Sequence, residues 1–282
     1  MLRIGGWLGA VAYVVLFLVG CGGDENLRVA AVLSGANEVP PVATAATGTV
    51  EALLEGRRLE LTGTFTGLES DLFAVEGSAA HLHQAPVGKS GPIAVNVAVT
   101  SVNRRSGTLR VVAELTDEQV TAFRDGGMYL DVHSAQDPQG ELRVQLTEIQ
   151  PPRFTFEATL TGAEEVPSVS TPATGVLSVE VVGRVLVVTG RFQNLQSDLL
   201  DISGSSAHVH QAPADANGPI VFNLKVDADS SLRAGKFEGA TELTPTQKTA
   251  FDAGLFYANV HTVGNASGEL RTQLVPEGGI SQ

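Results

Sequence analysis

The chain has 282 residues, 43% apolar and only 5% aromatic, with 31 glycines, 13 prolines and a formal charge of −13. That length suits about two domains, and the apolar fraction argues against disorder over most of the chain. The acidic balance excludes a phosphate-gripping nucleic-acid binder and a polybasic membrane-surface protein. A single cysteine excludes a disulfide framework and cysteine-based zinc or iron–sulfur centres within one copy.

Arg3 is the only charge ahead of an apolar run from Ile4 to Val19. The run is short for a membrane span and fits the core of a secretion signal. Leu18-Val19-Gly20-Cys21 resembles the bacterial lipobox, whose cysteine becomes the lipidated first residue. The sequence therefore predicts a lipoprotein signal peptide over 1–20 and a tether over 21–27, lipidated at Cys21. More than one acyl chain gives firm membrane anchoring. The expected location is the bacterial cell envelope. Gly22 stands where aspartate often retains lipoproteins at the inner membrane, which points to the outer membrane or cell surface.

Beyond the tether, one module is written twice. Leu33-Ser-Gly-Ala-Asn-Glu-Val-Pro40 recurs as Leu160-Thr-Gly-Ala-Glu-Glu-Val-Pro167. At the same offset, Ala80-His-Leu-His-Gln-Ala-Pro86 recurs as Ala207-His-Val-His-Gln-Ala-Pro213, and Gly91-Pro92-Ile93 as Gly218-Pro219-Ile220. Tyr129, His133 and Gly140-Glu-Leu-Arg143 recur one residue later in register, as Tyr257, His261 and Gly268-Glu-Leu-Arg271. The period suits a whole domain, not a solenoid unit. The boundaries are set at 28–148 for domain 1, 149–152 for a proline-rich linker, 153–275 for domain 2 and 276–282 for a tail.

Within each copy the signals are β. Segments 59–65, 93–99, 108–113 and 142–146 alternate apolar and polar residues, as does 186–192 in the second copy. One short helix is expected per copy, over 115–124 behind a Thr116/Gln119 capping box and over 243–251 behind Thr244, Pro245 and Gln247. Gly126 and Gly254 end them. The predicted fold is all-β: two tandem antiparallel β-sandwiches, of an immunoglobulin-like or superoxide-dismutase-like Greek-key type, each with one short helix.

All six histidines fall in matched positions: His81, His83 and His133, then His208, His210 and His261. In a strand, His-x-His puts both imidazoles on one face. If the strand of the third histidine is adjacent, three imidazoles converge and suit one Cu or Zn ion per domain. The plain alternative is buried histidines that hold the sandwich together and bind nothing. Glu141 and Glu269 can back the histidines, or pair with Arg143 and Arg271; the ion pair is the simpler reading. Glu38 and Glu165 are carboxylate ligands or, more simply, local partners in a strand-exit turn. Gly91-Pro92 and Gly218-Pro219 read as turn chemistry.

The ordered motifs, from Leu-x-Gly-x-x-Glu-Val-Pro to Gly-Glu-Leu-Arg, resemble the CHRD domain in both copies. The resemblance implies an extracellular β-rich module with no established activity in bacterial members. A weaker resemblance is to the Cu,Zn superoxide dismutase sandwich, where His81, His83 and His133, and His208, His210 and His261, match copper ligands. The bridging histidine, the further zinc ligands and the disulfide of that family have no counterpart here. The sequence thus predicts a lipid-anchored binding or structural module, leaning away from an enzyme. It expects a membrane contact through the lipid, an envelope or extracellular protein partner, and no nucleic acid. The alternatives are a copper-dependent superoxide- or oxidant-handling enzyme, and an envelope adhesion or scaffold protein whose histidines hold no metal.

Overall fold

A computed structural model describes residues 26–276. The signal peptide expected over 1–20, Cys21 and all but the first residue of the tail lie outside the described residues. The first domain runs β1 (Leu27–Ser34), β2 (Thr47–Glu55), β3 (Arg58–Thr66), β4 (Ala80–Gln84), β5 (Ile93–Asn96), β6 (Ala98–Ser101), β7 (Gly107–Glu114), α1 (Asp117–Arg124), β8 (Met128–Val132) and β9 (Leu142–Gln145). The second repeats it as β10 (Arg153–Leu160), β11 (Thr174–Val182), β12 (Val185–Gln193), β13 (Ala207–Gln211), β14 (Ile220–Ala228), β15 (Gly235–Glu242), α2 (Pro245–Asp252), β16 (Phe256–Thr262) and β17 (Asn265–Leu274).

Every strand pairing is antiparallel, and the sheet of domain 1 has the order β5-β4-β8-β9-β1-β2-β3-β7-β6. Its two end strands, β5 and β6, are halves of one chain segment broken only at Val97, so the sheet curls round and closes. The 93–99 strand expected from alternation is therefore interrupted. Val97 is fully buried and donates its N–H to the Ala80 carbonyl at the corner where the chain leaves β4 for β7. In domain 2 the uninterrupted β14 pairs with both β13 and β15, and a Thr161–Arg271 bridge joins β10 to β17. The connections from β3 to β4 and from β7 to β8 cross over the barrel ends, giving the expected Greek-key path.

Closure puts one face of every strand inside. Leu33, Leu59, Leu61, Leu82, Leu130 and Val144 fill the first core, and Leu160, Leu186, Val209, Ala258 and Leu270 the second. Burying such apolar surface contributes about 25 cal/mol per Å². Both helices form behind complete capping boxes, Thr116 with Gln119 and Thr244 with Gln247. Gly126 and Gly254 follow with positive φ, as helix C-termini require.

β4, β8 and β9 depart from the usual pattern of one wet and one dry face. Of their residues, only Gln84 is not fully buried. Alternate side chains point into the core, and the remaining ones point outward beneath loops. Side chains on the outer face of β9 tie those loops down. Arg143 donates to the Lys89 carbonyl at 2.7 Å, and Gln145 to the carbonyls of Ala85 and Gly126. Glu141 accepts from the Thr44 hydroxyl and the Glu69 amide. Among the described residues no helix is long and apolar enough to cross a membrane.

Candidate metal centre

The site is built on that covered outer face. In the β4–β8 ladder His81 stands opposite Asp131 and His83 opposite Tyr129, with core-facing Leu82 opposite Leu130. His133 follows Asp131 by two residues, just past β8, and returns to the same side. Domain 2 repeats the register, with His208 opposite Asn259, His210 opposite Tyr257, and His261 two residues on. The six histidines expected to converge do so, three per domain, and none is more than 8% exposed.

In domain 1 His81 Nδ1 lies 2.8 Å from His133 Nε2, while Asp131 Oδ1 lies 3.1 Å from His133 Nε2 and 3.2 Å from His83 Nε2. In each domain one donor atom per residue, from His81, His83, Asp131 and His133 or from His208, His210 and His261, falls within 4.8 Å of all the others. Five of the six far ring nitrogens are occupied, and His133 Nδ1 is buried without a partner. His81 Nε2 and His83 Nδ1 donate to the carbonyls of Val75 and Gly91. His208 Nε2, His210 Nδ1 and His261 Nδ1 donate to those of Ile202, Gly218 and Ala266. A carbonyl only accepts, so each of these contacts puts the proton on the far nitrogen. In a neutral ring the inner nitrogen then carries a lone pair.

Domain 2 states the consequence most simply. His208 Nδ1, His210 Nε2 and His261 Nε2 are buried, face one another and have no hydrogen-bond partner, and the Asn259 Oδ1 beside them has none either. Leaving such groups unsatisfied costs about 1–3 kcal/mol each. Acceptors gathered without a donor among them are what a cation needs. The backbone bond on each far nitrogen but that of His133 is the contact that orients a ligating imidazole. The residues present therefore fit a metal ion in both domains.

The supporting residues repeat as well. Tyr129 stacks on His83 at 4.8 Å between ring centres, with the Arg143 guanidinium 3.5 Å over its other face. Tyr257, His210 and Arg271 form the same sandwich with the same two distances. The Tyr129 hydroxyl accepts from the Gly91 amide, whose own carbonyl accepts from His83. One residue, through the peptide groups on its two sides, thus holds both rings. Only glycine fits there, because a Cβ on Gly91 would meet the Gln84 carbonyl oxygen at 2.1 Å, and one on Gly218 the Gln211 oxygen at 2.0 Å. The repeated Gly-Pro is thus more than a turn.

Two expectations change. Glu141 and Glu269 do not pair with Arg143 and Arg271. The arginines are spent on tyrosine faces and loop carbonyls. Glu269 instead takes Thr171, Thr262 and the Gln196 amide. Glu38 and Glu165 stand outside the ligand clusters, buried, and Glu38 Oε1 and both Glu165 carboxyl oxygens meet no hydrogen-bond donor. Burial above all raises both carboxyls, Glu38 well above its ordinary value and Glu165 to about 7.

Asp131 and Asn259 are site residues that sequence reasoning missed. The signal was period two: Tyr129, Asp131 and His133 share a strand face. The protonation balance follows from their difference. Burial pushes the Asp131 carboxyl up, but hydrogen bonds from His133 and His83 and their charges outweigh it and hold it below its ordinary value. Burial drives His83 down, yet Asp131 reverses the sign and leaves it raised. His210 in the matching place is lowered by burial, with no carboxylate to oppose it. Burial lowers His81 and His208 too, and takes His261 to about 4.

A duplicated Greek-key barrel with three converging imidazoles on one covered face defines the class of protein. The CHRD domain family model matches residues 29–146 and again 156–274. The chain belongs to the CHRD domain family, with two tandem copies. No curated protein matches it.

Proposed function

We propose that the chain is a lipid-anchored envelope protein whose two CHRD domains act as a binding and structural module, each holding one Cu or Zn ion on its three histidines. One observation carries the metal: in domain 2, three buried imidazole nitrogens face one another with lone pairs inward and no proton donor. Bound there, a metal supplies a cross-link between β13 and the segment after Val260, and in domain 1 between β4 and His133. Burial of the donors supports holding an ion over turning over a diffusing substrate. The anchor rests on Cys21 in its lipobox-like setting and places the domains outside the cytoplasm, at the outer membrane or cell surface, within reach of an envelope or extracellular protein partner.

The metal is tested by dialysing the protein against excess Cu(II) or Zn(II) and counting bound ions. About one ion per domain is expected, and His81→Ala with His208→Ala should lower the count in both. Retention of none by the unmutated chain overturns the assignment. Labelled fatty acid should enter the full-length chain in a bacterial host and disappear with Cys21→Ser. Equal labelling of both would remove the anchor.

A further inference from the structure

The two clusters share their histidines and their buried charged neighbours. Glu38, Glu141 and Arg143 of domain 1 have counterparts in Glu165, Glu269 and Arg271 of domain 2, all buried. Among the buried residues what differs is the one opposite the first histidine, Asp131 in one domain and Asn259 in the other; outside them, Asp201 acts on His208 from an exposed position where domain 1 has Ala74. Asp131 points Oδ1 into the cluster, within 3.1–3.9 Å of a nitrogen on each of the three histidines. Asn259 donates its amide N–H to the Ser267 carbonyl and leaves Oδ1 unpartnered. The first cluster is thus three imidazoles and a carboxylate. The second is three imidazoles and a neutral amide oxygen.

Resting on the metal-binding reading above, we infer that the two domains select different charges of metal ion: domain 1 a divalent ion on His81, His83, His133 and Asp131, domain 2 monovalent copper on His208, His210 and His261. The argument is charge balance in a buried place. Taking an ion out of water costs more as its net charge rises, unless opposite charge sits beside it. A dication against one carboxylate and a monocation against none leave the same net single positive charge. The neighbouring Glu and Arg residues are the same in both copies and cancel from the comparison. Ligand chemistry points the same way. Three imidazoles and a carboxylate complete the four-coordinate shell that zinc takes in closed sites. Three imidazoles alone, with an amide oxygen as a weak fourth neighbour, present no buried carboxylate to offset a second positive charge, and the exposed Asp201 is screened by solvent.

The test titrates the full chain with Zn(II) and, anaerobically, with Cu(I), each against a competing chelator, and reads bound metal and affinity for each class of site. The wild type should take one Zn(II) tightly and a second at least tenfold more weakly, the scale by which metal-shell changes move affinity. Cu(I) should bind domain 2 at least as well as domain 1. The near-isosteric exchanges then move the pattern in opposite directions. Asn259→Asp should create a second tight Zn(II) site, and Asp131→Asn should weaken the one present at least tenfold while sparing Cu(I). X-ray absorption on the Zn(II)-loaded wild type should show four light ligands, falling by one in Asp131→Asn. Two equal Zn(II) sites that neither exchange alters would overturn the charge selection and leave the metal sites standing. Binding of neither metal would overturn both. Circular dichroism of each variant separates a lost site from a lost fold.

Discussion

The outer face of β4 and β8 in the first domain and that of β13 and β16 in the second carry the same His-x-His pair, the same tyrosine under the same arginine, and the same third histidine. They part at Asp131 and Asn259. That one exchange reverses the protonation of a neighbour, His83 raised and His210 lowered. It also changes how the cluster is held. In domain 1, His133 Nε2 lies 2.8 Å from His81 Nδ1 and 3.1 Å from Asp131 Oδ1. In domain 2 no inner nitrogen has a partner. A duplicated fold has kept the geometry of a site while altering its charge, so geometry and charge are separable here and can be perturbed one at a time.

The largest effect on folding should come from the arginines, and it should be unequal. Arg271 donates to Asn217 Oδ1 and to the carbonyls of Pro213 and Ala216. Arg143 has one short bond, to Lys89. At about 1.5–3 kcal/mol for a hydrogen bond to a charged group, Arg271→Ala should cost roughly 5 kcal/mol and Arg143→Ala roughly 2. Denaturant unfolding of the two variants, compared with wild type, checks this. Equal costs would show that stacking on tyrosine outweighs the loop bonds.

Metal should come next. A ligand that binds only the folded state at a thousand times its Kd adds about 4 kcal/mol. Calorimetry with Zn(II) should raise one unfolding transition more than the other, and Asn259→Asp should bring the two together. Transitions that rise equally in the wild type would mean that Asp131 contributes nothing to Zn(II) affinity.

Acid should act through domain 2 in the metal-free protein. His261 titrates near 4 when folded against 6.5 ordinarily, chiefly through burial. As pH falls below 6.5 the unfolded chain takes up the proton first, so stability drops until about pH 4, by roughly 3 kcal/mol in all. Glu165 runs the other way. Its folded value of about 7 against 4.5 contributes stability that is present below pH 4.5 and lost as pH rises to 7. The two largely cancel over nearly one window. Glu165→Gln should therefore lose stability more steeply than wild type between pH 6.5 and 4. Parallel curves would mean that the Glu165 carboxyl is ionised throughout.

Much of this was legible in the sequence. Alternation marked strands, the duplicated motifs marked two domains, and His-x-His with a third matched histidine marked the cluster. Asp131 was not, because an aspartate in a half-polar strand reads as solvent-facing until the loops that cover it are known. The same reason hid Glu141. Its partners, Thr44 and the Glu69 amide, come from loops far away in sequence, while Arg143 two residues on is drawn to the Tyr129 ring. Gly91 reads as a turn because its second task, holding a tyrosine and a histidine through its own N–H and C=O, depends on β4–β8 register. Local devices are written locally, and the site is written in pairings between distant segments.

The smallest effect tests that distinction. The helix caps are local, and they are alike in both domains. Thr116 and Thr244 each accept from the N3 amide at 3.2 Å, and Gln119 and Gln247 each return a bond at 2.9 Å. Around these caps the sequences differ, with Asp117 and Glu118 in the first turn of α1 and Pro245 opening α2. If the cap alone decides, Thr116→Ala and Thr244→Ala should each cost about 1 kcal/mol, equally and with no change in metal affinity. If the helix dipole matters as much, the acidic first turn of α1 offsets part of its loss. Thr116→Ala should then be the milder of the two at low salt, and that advantage should fade as salt screens it. Unfolding of both variants at two ionic strengths separates these outcomes. A metal affinity that moved with either cap would show that the crossover helix reaches the site after all.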